Sequence, residues 1–205
     1  MENLIAGYQA FRAKYATGDK SIMKSLSING QNPSIMIVSC CDSRVDPGLI
    51  LQCDPGKLFI VRNVANIVPP FEKDDYHHGT SAALEFAICF LEVKHLILLG
   101  HSQCGGIETL VKGNLIKKDD FISNWVSIIK DEDHLNCSAD EYAKIGLEKS
   151  YQNCLTFPWI KEKVDQNKLK IHLWFFDIKT GQILSDEQKN YNYRPLDLIQ
   201  SEISM

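Results

Sequence analysis

Short apolar runs bounded by turn residues alternate along this chain with longer segments in which apolar residues recur at helical spacing. Three runs have the length and the bulk of buried parallel strands: Ser34–Ser39, Leu58–Arg62 and His95–Leu99. A fourth run, Ile171–Phe176, precedes a turn at Thr180–Gly181 and is also predicted to be a strand.

The segments between these runs carry helical signals. Apolar residues four or three positions apart, beginning at Leu4 and Tyr8, predict an amphipathic N-terminal helix from Glu2 to about Ser25. Further helices are predicted at 79–92, with Thr80 or Ser81 as a candidate N-cap, around 120–130 and around 140–155.

Strands that alternate with helices predict an α/β fold, in which a mainly parallel central β-sheet is flanked by helices. A chain of 205 residues has the length of one compact domain with a sizeable core. We therefore expect a single domain over residues 1–205, of which residues 1–28 form an N-terminal helical arm.

Composition excludes several classes of function. The net charge is −4 and no block of Lys and Arg is present, so nucleic acid is not an expected partner. The longest apolar stretches are too short to span a bilayer, and the segment Met1–Leu4 lacks the basic start of a secretory signal. Seven scattered cysteines argue against a disulfide framework and fit a reducing compartment. A cytoplasmic location is expected.

Two short motifs, Cys40–Arg44 and His101–Cys104, carry the chemistry. Two thiolates and one imidazole give a tetrahedral zinc three strong ligands and leave its fourth position free for water, as in catalytic sites. Both motifs follow predicted strands, where open α/β sheets place their sites. Alternation along an extended segment puts Cys40 on one face with Asp42 and Arg44, so Cys40 rather than Cys41 is the predicted ligand.

Asp42 and Arg44 are the expected acid–base machinery. A nearby cation lowers the pKa of a carboxyl group, so Arg44 would keep Asp42 ionised and oriented. The residues permit two roles for Asp42. It can accept a hydrogen bond from zinc-bound hydroxide and aim its lone pair at an electrophile, or it can move onto the zinc as a fourth ligand and switch the site off.

These motifs resemble those of the β-class carbonic anhydrases, which carry Cys-x-Asp-x-Arg and His-x-x-Cys at this separation. Three further segments resemble the same family: Arg62–Asn66, which reads Arg-Asn-x-Ala-Asn, Ser81–Phe86 and Gly100–Gly106. The likeness is strong from about residue 30 to residue 106 and continues more weakly toward residue 176.

The resemblance implies zinc-dependent, reversible hydration of carbon dioxide to bicarbonate and a proton, by attack of zinc-bound hydroxide. One zinc per subunit would be held by Cys40, His101 and Cys104, with Asp42 and Arg44 as the catalytic pair. Thiolate ligands donate charge, so the bound water should be less acidic than one held by three imidazoles. The expected activity therefore rises with pH.

The resemblance also implies a substrate site. Gln31 resembles the glutamine that donates to the substrate in the plant-like subgroup, and Phe59, Val64 and Phe86 would line a small apolar pocket. Gly105 is assigned to the same site because glycine permits close approach of the backbone. In the family, the positions of Gln31, Phe59 and Phe86 belong to a partner subunit, which implies a homodimer or a tetramer built as a dimer of dimers. Taken without the family, the two phenylalanines are core aromatics and Gln31 is a turn residue.

A second subgroup of the family, inhibited by bicarbonate at a non-catalytic site, carries Trp three positions before the first Cys, where this chain has Ile37. We therefore expect the plant-like, open form, with Asp42 paired to Arg44 and off the zinc near neutral pH.

Two alternatives use the same ligands. Hydrolysis of carbonyl sulfide or carbon disulfide on the same scaffold would differ only in access of the substrate. A structural zinc in a binding module would be expected to have a fourth Cys or His and no need for the Asp42–Arg44 pair.

Overall fold

The computed structural model of the chain describes residues 1–113 and 120–198. Over these residues, six strands form a single sheet: β1 (Ile35–Cys40), β2 (Leu58–Asn63), β3 (His95–His101), β4 (Lys170–Asp177), β5 (Gln182–Ser185) and β6 (Arg194–Pro195). Their order in space is β2-β1-β3-β4-β5-β6. The first four in this order are parallel, whereas β5 and β6 are added antiparallel at one edge. The predicted α/β fold with a mainly parallel sheet is confirmed.

Burial on both faces explains why β1 and β3 read as continuous apolar runs. Alternate side chains of each strand enter two different cores, so that Met36 and Val38 pack in one and Ile37 in the other. Helical residues pack on both faces, with Leu147 in the first core and Ile50 against the second. The α-helices of the described residues are α1 (Glu2–Tyr15), α2 (Ile22–Asn29), α3 (Pro47–Ile50), α4 (Gly79–Glu85), α5 (Gly105–Lys112), α6 (Phe121–Ser127), α7 (Ala139–Thr156) and α8 (Pro158–Asp165).

The N-terminal segment differs from its prediction, because the single helix expected from Glu2 to about Ser25 is two helices. Gly18 adopts the left-handed region at φ +89° between α1 and α2, and Ser21 caps α2 by accepting a hydrogen bond from Lys24 N. Neither helix contains a buried residue. The apolar residues of α1 therefore remain uncovered in the single chain. The assignment of residues 1–28 as an arm of one domain stays a prediction.

The helix predicted at 79–92 is also shorter than expected. Helix α4 ends at Glu85 and continues into one π-helical turn, Phe86–Phe90. Neither candidate cap residue caps it, because the N-cap position is His78, and Thr80 instead accepts a hydrogen bond from Asn63 Nδ2 at 3.3 Å.

The order of the strands fixes where a site can form. From β1 the chain passes to β2 on one side, and β3 lies on the other side of β1, so β1 and β3 flank a topological switch point. We call the edge at which the parallel strands end the carboxyl edge. Cys40 and His101 are the last residues of β1 and β3 and so lie side by side at this edge.

No helix within residues 1–113 and 120–198 is long and apolar enough to cross a membrane. All seven cysteines of the chain are free. The structure therefore relies on packing rather than on covalent cross-links.

Close packing of α7 on β3 generates a stability prediction. A methyl group added at Gly100 would lie 3.0 Å from Leu147 Cδ1 and 3.1 Å from its Cγ, so Gly100→Ala should overpack this contact. We expect it to lower the free energy of unfolding by about 1–3 kcal/mol, measured by urea denaturation. The double variant Gly100→Ala/Leu147→Val should recover part of this loss.

Gly79→Ala is the matched control, because a methyl group there meets nothing within 4 Å and the backbone is not left-handed. It should change the free energy of unfolding by less than about 1 kcal/mol. A Gly100→Ala protein as stable as the wild type would contradict the close contact between α7 and β3.

A candidate metal centre at the carboxyl edge

Three ligand atoms converge where β1 and β3 end. Cys40 closes β1, His101 closes β3, and Cys104 precedes α5. Their side-chain donor atoms all lie within 4.8 Å of one another, and the two sulfur atoms are 3.9 Å apart. All three residues are buried. Within the described parts of the chain, they are the one group of three or more metal-binding side chains found at such distances.

The hydrogen bonding of the His101 imidazole leaves one ring nitrogen available to bind a cation. Its Nδ1 lies 2.9 Å from the carbonyl oxygen of Ser102, and because a carbonyl only accepts, Nδ1 carries the proton and donates. Nε2 is then the nitrogen without a proton, and it is buried with no hydrogen-bond partner among residues 1–113 and 120–198. A buried polar atom without a partner calls for an explanation. A metal ion bound to Nε2, with Nδ1 held by a carbonyl, supplies one.

The two thiols are electrostatically coupled. A hydrogen bond from the Cys104 thiol lowers the pKa of Cys40, and the same contact raises the pKa of Cys104. Without a cation the pair therefore favours one thiolate beside one thiol. A divalent cation lets both sulfurs ionise, because coordination deprotonates a thiol. Two thiolates and one imidazole form a donor set that suits zinc and leaves one tetrahedral position open.

Asp42 and Arg44 form a two-pronged ion pair in the turn after β1. Arg44 donates from Nε to Oδ1 at 2.9 Å and from Nη2 to Oδ2 at 2.7 Å. The backbone N–H of Arg44 donates to Oδ1 as well, at 2.9 Å. These contacts, the side-chain hydrogen bonds first among them, hold the pKa of Asp42 well below its usual range. Because β1 ends at Cys40, the strand-like alternation predicted through Arg44 is wrong, and a turn brings this pair together instead.

A second arginine, Arg62 on β2, holds the turn by hydrogen bonds to its backbone. Its Nε donates to Cys40 O at 3.0 Å and its Nη2 to Asp42 O at 2.8 Å. Its Nη1 is paired with Asp46 at 3.3 Å. Sequence reasoning treated Arg62 only as part of a family segment and missed this role. No pattern in the sequence indicates that Asp46, whose carboxylate also caps α3, pairs with Arg62.

Val64 follows Asn63, the residue that pairs with Cys40 in the sheet. It opens a tight turn after β2, and a methyl group at Gly106 would approach its Cγ1 to 2.6 Å, so glycine is needed there. The indole N–H of Trp125 donates to Val64 O at 2.7 Å and ties α6 to this turn. Gly105 is exposed and faces open space, and its predicted role in substrate binding remains a prediction.

The other predicted substrate residues lie away from the three ligands of their own chain. Phe59 pairs with Met36 in the sheet, four residues before Asn63, which pairs with Cys40. Four residues of strand span about 13 Å. Phe86 is 44% exposed, and its ring lies 5.9 Å from that of Phe59.

Gln31 is also distant from its own metal centre. It lies in the loop before β1, whereas Cys40 ends that strand, and a six-residue strand is about 17 Å long. Its neighbours Gly30 and Asn32 line a cavity together with the Pro55–Gly56 turn, which precedes β2. Gln31 therefore lies at the edge of the sheet where the parallel strands begin, opposite the carboxyl edge.

Comparison with known proteins agrees with this architecture. The profile of the carbonic anhydrase family matches residues 35–183. The chain is 32% identical over 198 residues to a carbonic anhydrase of Synechocystis sp., covering 90% of this chain and 70% of that protein. It is 34% identical over 195 residues to beta carbonic anhydrase 3 of Arabidopsis thaliana, covering 88% of this chain and 74% of the relative.

Solved structures of β-carbonic anhydrases also resemble the structure of this chain. The β-carbonic anhydrase CcaA matches with a TM-score of 0.82 and 30% sequence identity, over 95% of this chain and 91% of that one. A tetrameric β-carbonic anhydrase of Sordaria macrospora matches with a TM-score of 0.69 and 29% identity, over 90% and 92% of the two chains. The family profile spans both motifs of the metal centre. The chain therefore belongs to the β-carbonic anhydrase family.

Proposed function

We propose that this carbonic anhydrase hydrates carbon dioxide reversibly, with its zinc held by Cys40, His101 and Cys104. The observation that carries the proposal is the bare, buried Nε2 of His101 beside two sulfurs 3.9 Å apart. A zinc ion held by these three residues would lower the pKa of a bound water from about 15.7 toward about 7, which would supply a nucleophile at neutral pH. Carbon dioxide and water become bicarbonate, and the proton leaves to the solvent.

Asp42 orients the attacking water. An ionised carboxylate offers about four acceptor positions, and Arg44 occupies three of them. The remaining lone pair of Oδ2 accepts a hydrogen bond from the attacking water and turns the oxygen lone pair of that water toward the carbon atom. For Asp42 to become a ligand of the zinc, its hydrogen bonds with Arg44 would have to break. This supports the open, plant-like form, with Asp42 off the metal near neutral pH.

Oligomerisation is supported by the tetrameric relative, and we propose a dimer as the minimum active unit, with tetramers as dimers of dimers. Gln31, Phe59 and Phe86 would complete the site of the partner subunit. Their distance from the ligands of their own chain supports this exchange, as does the uncovered apolar side of α1. A cytoplasmic location stays a prediction, supported by seven free cysteines.

The assignment of Cys40 rather than Cys41 as a zinc ligand is tested by measuring the zinc that each variant binds. Cys40→Ser should lower bound zinc from about one per chain to near zero after dialysis against a chelator, because a neutral hydroxyl replaces a thiolate. Zinc is measured by atomic absorption. Cys41→Ser should keep its zinc, since the Cys41 side chain is exposed. The reverse result, with zinc lost only from Cys41→Ser, would contradict the ligand assignment.

The role of Asp42 is tested by stopped-flow hydration of carbon dioxide from about pH 6.5 to about pH 9, a range that brackets ionisation of a zinc-bound water. Activity of the wild type should rise with pH, because thiolate ligands make that water less acidic. Asp42→Asn should lower kcat/KM by about a hundredfold or more while zinc stays bound, since the water is no longer oriented. Ser43→Ala, in the same exposed turn, should behave like the wild type. Full activity of Asp42→Asn would leave a structural zinc as the better explanation.

The exchange of residues between subunits is tested by mixing two impaired variants. Asp42→Asn lacks the catalytic carboxylate, and Gln31→Ala lacks the substrate donor. If each site combines both residues from different chains, a mixed dimer contains one intact site. Refolding the variants together at equal concentration should restore about a quarter of wild-type activity, because half of the dimers are mixed and one of their two sites is complete. If both residues act within one chain, no mixed dimer contains an intact site and activity stays at the mean of the two variants.

A further inference from the structure

Asp140, in the first turn of α7, contacts the loop that carries two of the ligands. Its Oδ1 accepts a hydrogen bond from the backbone N–H of Gln103 at 2.6 Å. Gln103 stands between His101 and Cys104 in the sequence. Asp140 lies 37 residues further along the chain and belongs to no motif of the metal centre.

Gln103 is held in an unfavourable backbone conformation. Its φ is +56°, in the left-handed region that a residue with a side chain rarely adopts. In this conformation the carbonyl oxygen of Gln103 accepts from Arg44 Nη2 at 3.1 Å, and its side-chain Oε1 lies 3.4 Å from Nη1. The contact from Asp140 secures one side of Gln103, and the other side contacts the arginine that binds Asp42.

Capping of α7 does not explain the contact. Ser138 is the N-cap, and its hydroxyl accepts from Glu141 N at 3.2 Å while Glu141 Oε2 accepts from Ser138 N at 2.9 Å. The helix itself is fixed by the buried Tyr142, whose hydroxyl donates to Ile129 O at 3.1 Å. Asp140 is therefore presented by a firmly anchored helix and directs its carboxylate at the loop.

We infer that Asp140 is a positioning residue, which holds Gln103 in its left-handed conformation and through it fixes the Arg44–Asp42 pair and the segment between the two ligands. The inference rests on the proposed roles of Asp42 and Arg44. On this inference, the Asp140 carboxylate is needed because Gln103 is strained. A residue at position 103 that adopts the left-handed conformation without strain should therefore make the carboxylate dispensable.

The test uses the zinc-loaded enzyme. Asp140→Ala leaves the Gln103 N–H without its partner, and the loop should relax toward a right-handed conformation. We expect kcat/KM to fall about tenfold, because small displacements of a positioned group have effects of this order or larger. Zinc should also be lost faster to a chelator. The Nε–H signal of Arg44 in ¹H–¹⁵N NMR spectra should exchange faster with water, since its hydrogen bond to Asp42 is no longer fixed. Asp140→Asn, which keeps an acceptor oxygen, should restore most of each property.

Glycine at position 103 provides the decisive variant. Glycine enters the left-handed region at little cost, so Asp140→Ala/Gln103→Gly should recover much of the kcat/KM that Asp140→Ala loses. The single variant Gln103→Gly measures the loss of the side-chain contact with Arg44 alone. Ser138→Ala is the control for helix capping. It should lower the unfolding temperature by roughly 2–4 °C and leave the Arg44 Nε–H exchange unchanged.

Three results would overturn the inference: wild-type kcat/KM and Nε–H exchange in Asp140→Ala, no recovery with glycine at position 103, or an equal loss of kcat/KM in Ser138→Ala. The proposed function fails in a different way. If Asp42→Asn keeps full activity, the Arg44–Asp42 pair has no catalytic role, whatever Asp140 does. If Asp42→Asn is inactive while Asp140→Ala is unchanged, only the positioning role is wrong.

Discussion

The burial of two sulfur atoms and an imidazole nitrogen at one point is the constraint on which the rest of this structure depends. Nε2 of His101 has no hydrogen-bond partner in the part of the chain that the structure describes, and a buried polar atom left unpaired costs about 1–3 kcal/mol. Two thiolates 3.9 Å apart would repel each other strongly in such surroundings. A divalent cation bound by the three residues would remove both costs at once. The buried strands β1 and β3 deliver their last residues to this point because they are adjacent and parallel.

Charges around the metal centre are arranged in pairs. Two thiolates would balance a bound divalent cation, Asp42 is paired with Arg44, and Asp46 is paired with Arg62. A buried or half-buried charge is tolerated when it is paired and hydrogen-bonded. Both arginines also donate to backbone carbonyls near the ligands, Arg62 to Cys40 O and Arg44 to Gln103 O. The same side chains therefore compensate charge and hold the geometry of the two loops.

The sequence was informative wherever a local pattern decides the structure. The apolar runs predicted four strands of the sheet, and the spacing of Cys40, His101 and Cys104 drew attention to residues that the fold brings together. Contacts over long separations left no such signal. The hydrogen bond from Trp125 to Val64 O and the packing of Leu147 against Gly100 join residues more than 40 positions apart. Nothing near those residues indicates the partner.

The sequence prediction was also wrong where two local signals indicated different structures. Apolar spacing through Tyr15 favoured one long helix, although Gly18 and Ser21 are the usual signs of a break and a new cap. At residue 86 the helical pattern was correct, but the chain widens into a π turn that exposes Phe86 and Phe90. Such turns are rare and are frequently found at functional sites.

The exposed aromatic residues and the uncovered side of α1 have one physical explanation in common. Phe86 and Phe90 stack 5.8 Å apart with Phe86 44% and Phe90 72% exposed, and Leu4, on the first helix, is 71% exposed. Side chains of this size gain roughly 1.5–3 kcal/mol each when they leave water, so a surface that keeps several of them exposed is stabilised by association. A second subunit could cover them. Under the proposed exchange between subunits, assembly and catalysis would depend on the same contact, because Phe86 would both favour association and line the substrate pocket of the partner.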